Sequence, residues 1–151
     1  MRVHIATDHA AFDVKEYLVA ELTALGYDVV DHGAHAYDAL DHYPVFCIPC
    51  AEAVVAEPGS LGIVLGGSGN GEQIAANKVK GVRAGLAYNP ELARLTRNHN
   101  DANVLAIGGR MNTLEESLAI AKMFLETPFS GDDRHATRIQ MLTDYEDEHK
   151  R

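Results

Sequence analysis

Gly62-Ile63-Val64-Leu65-Gly66-Gly67-Ser68-Gly69-Asn70-Gly71-Glu72-Gln73-Ile74-Ala75-Ala76-Asn77-Lys78 joins a short apolar run to a glycine-rich turn and then to a segment that reads as a helix from Glu72. Strand, glycine loop and helix together form a cradle for a negative oxygen. Glycines allow a tight turn, and their unshielded N–H groups converge with those of the helix's first turn. The wording of the loop excludes the two common nucleotide fingerprints. It lacks G-x-G-x-x-G, and Gly66 and Gly71 have the spacing of a triphosphate loop with Glu72 where its lysine belongs. A carboxylate beside N–H donors suits removal of a proton next to a carbonyl, with Glu72 as base and the amides and Ser68 holding the enediolate oxygen. The alternative is that Glu72 merely favours the helix N-terminus.

Working outward, Arg2 to Thr7 reads as a first strand. A helix follows, with Val14, Tyr17, Leu18, Leu22 and Leu25 at helical spacing and Gly26 ending it. Tyr27 to Asp31 is a second strand, and a polar loop rich in Asp and His runs from His32 to Tyr43. Beyond the central loop, Val82 to Leu86 and Asn103 to Ile107 read as strands four and five. Between them Asn89 and Pro90 start a helix reaching about Asn98. Thr113 to Glu116 form a capping box for a helix through Leu125, and a last helix spans Asp132 to Glu146. Alternating strands and helices predict one α/β domain over residues 1–151. Its expected form is a three-layer αβα sandwich with a doubly wound, five-stranded parallel sheet of order 2-1-3-4-5 and a C-terminal helix. The switch point between strands one and three then brings Asp8-His9 to the Gly66–Glu72 loop.

Thirteen basic against 22 acidic residues give a formal charge of -9, which disfavours nucleic acid or an anionic membrane as partner. The absence of a long apolar run and of a signal-like start predicts a cytosolic protein. Cys47 and Cys50 form one C-x-x-C without a second, on a helix from Pro44 to Glu57 with Phe46, Cys50, Ala53 and Val54 on one side. They read as buried hydrophobes, with Pro49 an irregularity in the helix. His32, His35 and His42 lie in a loop without the spacing of a metal site, so no metal is expected. Three further residues or groups each carry two readings. Asp8 is a helix cap or a proton carrier. His99, in Arg97-Asn98-His99-Asn100-Asp101, favours a helix C-terminus or donates a proton. Arg134 and Arg138, one helical turn apart, pair with Asp132, Asp133 or the acidic tail, or hold a phosphate, with Arg110 a third candidate.

Taken in order, Asp8-His9, the Gly66–Glu72 loop, Ala75-Ala76-Asn77-Lys78, His99-Asn100-Asp101 and Arg134-His135 with Arg138 span nearly the whole chain. The set resembles the ribose-5-phosphate isomerase B family, which includes galactose-6-phosphate isomerase subunits. Within it the chain is more similar to the actinobacterial-type branch whose base is a glutamate instead of a cysteine. The resemblance implies interconversion of ribose 5-phosphate and ribulose 5-phosphate through a cis-enediolate. Glu72 would move the proton between C1 and C2, and Ser68 with the amides of Gly67, Gly69, Asn70 and Gly71 would hold the oxyanion. Asp8 and His99 would open the sugar ring. His9, Tyr43 and Asn100 would line the sugar, and Arg110, Arg134 and Arg138 would hold the phosphate. The resemblance also implies no metal or organic cofactor and a homodimer or homotetramer with sites between subunits. One departure is Ala11, where the family usually has glycine, and this alanine is expected to narrow the space near the substrate. A tetrose phosphate (erythrulose 4-phosphate) or a hexose 6-phosphate is the alternative substrate. A flavodoxin-like nucleotide-binding module is the alternative of another class.

Overall fold

Strand β1 (Arg2–Thr7) sends Val3 and Ile5 to one face of the sheet and Ala6 to the other, the two-residue period of a strand covered on both sides. β3 (Leu61–Gly66) and β5 (Val104–Gly108) are buried along their whole length and repeat the pattern: Ile63, Leu65, Leu105 and Ile107 face one core, and Val64, Val104 and Ala106 the other. With β2 (Asp28–Asp31) and β4 (Ala84–Leu86) they form one parallel sheet in the computed structural model, which describes residues 1–149.

The sandwich is the expected one, and so is the order of the first three strands. The last two are exchanged: the sheet runs β2-β1-β3-β5-β4, so β5 lies beside β3 and β4 takes the edge. Burial decides the exchange. The five residues of β5 are all buried, whereas β4 has three residues of which two are only half-buried, as suits a short edge strand. The exchange also moves a helix. Steps from β1 to β2 and from β4 to β5 run in one direction across the sheet, and steps from β2 to β3 and β3 to β4 in the other. Right-handed crossovers therefore place α1 (Phe12–Ala24) and α4 (Pro90–Asn100) on one face, and α2 (Pro44–Ala56) and α3 (Asn70–Ala76) on the opposite one. The side chains agree. Leu18, Ala93 and Phe124 share the first core, the last from α5 (Leu114–Glu126), and Cys50, Val54 and Ala76 share the second.

Helix ends follow their sequence signals. Asn89 Oδ1 accepts from Leu92 N–H at 2.9 Å, with Pro90 at the first helical position, and Thr113 Oγ1 accepts from Glu116 N–H at 3.1 Å. In α2 the inward face is Cys47, Cys50, Ala51 and Val54, with Phe46 and Ala53 only half-buried, so the expected face is rotated by about one residue. Pro49 points outward within an unbroken helix, where its missing N–H is tolerated. The last helix, α6 (Asp133–His149), runs past its expected end at Glu146, and among its described residues only His135 is buried. No described helix is long and apolar enough to cross a membrane.

One buried residue was invisible to the apolar periodicity. Lys15 is fully enclosed on the inward face of α1 and spends its ammonium on Asp31 Oδ2 at 2.6 Å, the Ala34 carbonyl at 2.8 Å and Glu16 Oε1 at 2.8 Å. Asp31 Oδ1 in turn accepts from Gly33 N–H at 2.8 Å, and Thr7 exchanges hydrogen bonds with Gly33 and Ala34. The lysine thus ties the start of the polar loop to the end of β1. Lys15→Ala is expected to lower stability by about 2 kcal/mol, below the range for fully buried pairs because Asp31 retains some solvent. The urea midpoint of the variant checks this.

Candidate active site

The carboxyl ends of β1, β3 and β5 are stitched together by short hydrogen bonds. Thr7 Oγ1 donates to the Leu65 carbonyl at 3.1 Å, Gly109 N–H to Gly66 at 2.7 Å, and Arg110 N–H to Gly67 at 3.1 Å. These bonds assemble an open cleft whose walls include Asp8, His9, Tyr43, Ser68, Glu72 and Arg110. All six are predicted site residues, from four separate stretches of chain. Gly67 and Gly71 also line it.

Glu72 stands at the third position of α3, which begins two residues earlier than the sequence suggests because Gly69, at φ +83°, turns the chain directly into the helix. Its carboxylate is folded back over the end of β3. A Cβ at Gly66 would fall inside it, so only glycine fits there. Glu72 is only 5% exposed. Burial raises its pKa, a hydrogen bond from its own backbone N–H opposes the rise, and the charge of Asp8 adds to it. Behind it Cys47 is enclosed, and burial together with the Glu72 charge pushes its thiol far up. Ser68 Oγ accepts from Asn70 N–H at 3.3 Å and from Asn70 Nδ2 at 3.2 Å, leaving the hydroxyl's own proton to donate.

Asp8 does cap the following turn, its Oδ1 accepting from Ala10 N–H at 2.9 Å, and it also lines the cleft, so the cap does not take it out of the site. The alanine facing the cleft is Ala10. Ala11 is buried against Gly109, where a Cβ would stand 2.6 Å from its methyl, so the expected narrowing by Ala11 is corrected: its methyl points into the core.

Gly69 and Asn70 stand in the glycine loop and at the start of α3, and the other predicted residues, His99, Asn100, Arg134 and Arg138, lie outside this cleft. His99, in the last turn of α4, stacks on His135 of α6, with ring centroids 4.4 Å apart and planes 14° from parallel. Asn100 is exposed, and its carbonyl accepts from Arg83 Nε at 3.0 Å. Arg134 and Arg138 are exposed and make no ion pair among the described residues, so Asp132 and Asp133 do not consume them. His135 is buried with Nε2 unpartnered, and burial followed by the nearby His99 and Arg134 charges lowers its pKa.

Of the loop histidines, His35 and His42 are exposed, and His32 pairs with His4 at 2.9 Å. One group of described residues, Asp8, His9 and Asp41, brings its ligand atoms within 4.8 Å of one another. Within it Asp8 Oδ1 accepts from Ala10 N–H at 2.9 Å, and His9 Nδ1 contacts Asp41 Oδ1 at 2.7 Å. Sequence reading missed Asp41 as a neighbour of His9. The acidic loop was visible, but not which of its aspartates turns inward.

The family model for ribose/galactose isomerase matches residues 3–142. Ribose-5-phosphate isomerase B of Mycolicibacterium paratuberculosis is 53% identical over 150 residues, covering 99% of this chain and 94% of the relative. The Mycobacterium tuberculosis protein of the same name is 52% identical, covering 99% and 93%. Among solved structures, Clostridium thermocellum ribose-5-phosphate isomerase B superposes with a TM-score of 0.94 at 40% identity, covering 99% of this chain and all of that one. The Mycoplasma genitalium enzyme with bound ribulose 5-phosphate gives a TM-score of 0.93 at 38% identity, covering 97% of each chain.

The raised pKa of Glu72 has a sign that can be tested. A carboxyl that is harder to ionise when folded contributes its full stability below the unfolded pKa and loses it as pH rises through the folded pKa. Glu72→Gln is therefore expected to be more stable than the parent at neutral pH. The difference should shrink on acidification, as read from melting temperatures across the pH range.

Proposed function

The chain belongs to the ribose/galactose isomerase family, and from that membership we propose that it interconverts ribose 5-phosphate and ribulose 5-phosphate by proton transfer through a cis-enediolate. The observation that carries the reading is the Glu72 carboxyl, buried and folded over Gly66 beside the amides of the glycine loop. Glu72 takes the C2 proton of the open aldose. The electron pair of the broken C–H bond forms the C1–C2 double bond, and charge moves to O1. Ser68 and the N–H groups of Gly67, Gly69, Asn70 and Gly71 stabilise that oxyanion, and the proton returns at C1 as one passes between O2 and O1. Burial suits Glu72 to this task, since a carboxylate held from water is a stronger base.

In this reading His99 protonates the ring oxygen during ring opening, with Asp8 on the sugar hydroxyl. His9, Tyr43 and Asn100 contact the sugar, and Arg110, Arg134 and Arg138 hold the phosphate. His99, Asn100, Arg134 and Arg138 lie outside the Glu72 cleft, which supports a homodimer or homotetramer in which one subunit completes the site of another. The exposed guanidiniums of Arg134 and Arg138, without an ion pair among the described residues, suit a phosphate arriving there. The chain acts as one isomerase domain in the cytosol and needs neither metal nor organic cofactor.

Proton NMR of the protein with ribose 5-phosphate in heavy water and a chelator is expected to show ribulose 5-phosphate carrying solvent deuterium. Absence of conversion on this and on four- and six-carbon sugar phosphates would overturn the reading. Glu72→Gln is expected to fold and to lose turnover by about three orders of magnitude, since it removes the base and little volume. Arg138→Ala is expected to act mainly on KM, about tenfold, because a phosphate contact exists in both ground and transition states. Steady-state kinetics separate the two patterns.

A further inference from the structure

His9 is the cleft residue whose ring has the most fully defined partner. Asp41 Oδ1 accepts from the His9 backbone N–H at 3.0 Å and faces ring Nδ1 at 2.7 Å. A carboxylate has no proton to give, so the short ring contact requires the proton on Nδ1 and leaves the neutral ring's lone pair on Nε2. Asp41 is well placed to impose this. Its side chain is 9% exposed against 25% for His9, and its Oδ2 is enclosed without any hydrogen-bond partner. Tyr37 meets the same ring edge-on with centroids 6.3 Å apart, which closes the polar loop around the imidazole. The loop is itself anchored at its start by Lys15 and Asp31.

We propose that Asp41 is a positioning residue that locks His9 as the Nδ1–H tautomer, so that Nε2 meets the substrate as an acceptor for a sugar hydroxyl proton. The proposal rests on the sugar-phosphate reading for its substrate half and on the Asp41–His9 contact for its tautomer half. A ring held the other way would present N–H to the hydroxyl, and a freely rotating ring would lose orientation on every binding event. The unpaired Oδ2 adds negative charge beside the ring, which favours any state in which a hydroxyl proton is drawn toward Nε2. Asp41 itself is not among the residues lining the cleft, so its effect on substrate passes through His9.

The test has a substrate-free arm and a kinetic arm. Long-range proton–nitrogen correlation on histidine-labelled protein, at a pH above the ordinary imidazole value of about 6.5, reads the tautomer directly, with His9→Gln assigning the signal. The wild type is expected to show Nδ1 protonated and Nε2 bare, and Asp41→Ala, which removes the oxygen that accepts from both the His9 backbone N–H and Nδ1, is expected to shift the proton toward Nε2. A wild type protonated at Nε2, or an Asp41→Ala tautomer identical to wild type, overturns the proposal. The wild-type spectrum alone tests the tautomer half even if the variant fails to fold. In kinetics with ribose 5-phosphate, Asp41→Ala is expected to raise KM about tenfold with a smaller change in kcat, the loss of roughly one ground-state hydrogen bond. In a His9→Gln background the same substitution is expected to add little. An unchanged KM beside a switched tautomer, or full additivity in the double variant, overturns the substrate half. A wild-type protein inert on every sugar phosphate would instead remove the functional reading, with the tautomer result still standing on its own.

Discussion

Everything at the mouth of the sheet depends on one close approach, the Glu72 carboxylate lying over the bare Cα of Gly66. For a carboxylate to sit there, β3 must end in a residue with no side chain, and the chain must reverse within a few residues to begin α3. Gly69 provides the reversal, and a Cβ on it would meet Leu86 at 2.7 Å and the backbone of Ile107 and Gly108. Gly71 then yields space to Tyr43, whose ring would stand 2.7 Å from an added methyl. The glycines are thus a set of vacancies shaped by particular neighbours. Filling any one displaces the Glu72 carboxylate, the ring that walls the cleft, or the end of β5.

The exchange of the last two strands has its own effect on the site. With β5 beside β3, the turn after β5 bonds to the glycine loop through Gly109 and Arg110, so Arg110 arrives at the cleft from the strand next to the one that leads to Glu72. The same exchange carries α4 to the face of α1 and α5. The end of α4, with His99, lies at the amino end of the sheet, because a crossover helix runs back against its strands, and there it meets α6. The division into two groups therefore follows from the parallel sheet itself, with Glu72 at the carboxyl ends of the strands and His99 at the other end.

What the sequence made legible follows from what it encodes locally. The apolar runs, the Asn89-Pro90 and Thr113-Glu116 caps, and the glycine loop each state a short-range requirement, and the structure meets them. The meeting of Asp8, His9 and Glu72 was also legible, because the order of the first three strands forces it. The order of β4 and β5 was not, since both read as short apolar strands and only packing reveals which is buried throughout. Lys15 escaped because a lysine on an apolar face looks like an interruption until Asp31 and the Ala34 carbonyl are seen around it. Ala11 was misplaced because a one-residue change of direction in a tight turn decides between cleft and core. Asp41 stood among several aspartates that only tertiary structure distinguishes.

The burial of Cys47 against Glu72 reaches beyond packing. A thiol reacts with oxidants and electrophiles through its thiolate, and here enclosure and an adjacent carboxylate suppress that anion together. The side chain that faces the cleft there is the Glu72 carboxyl, which has no comparable oxidation chemistry. A cleft built in this way keeps sulfur behind its wall, so the reaction proposed for it has no thiol to lose to an oxidant.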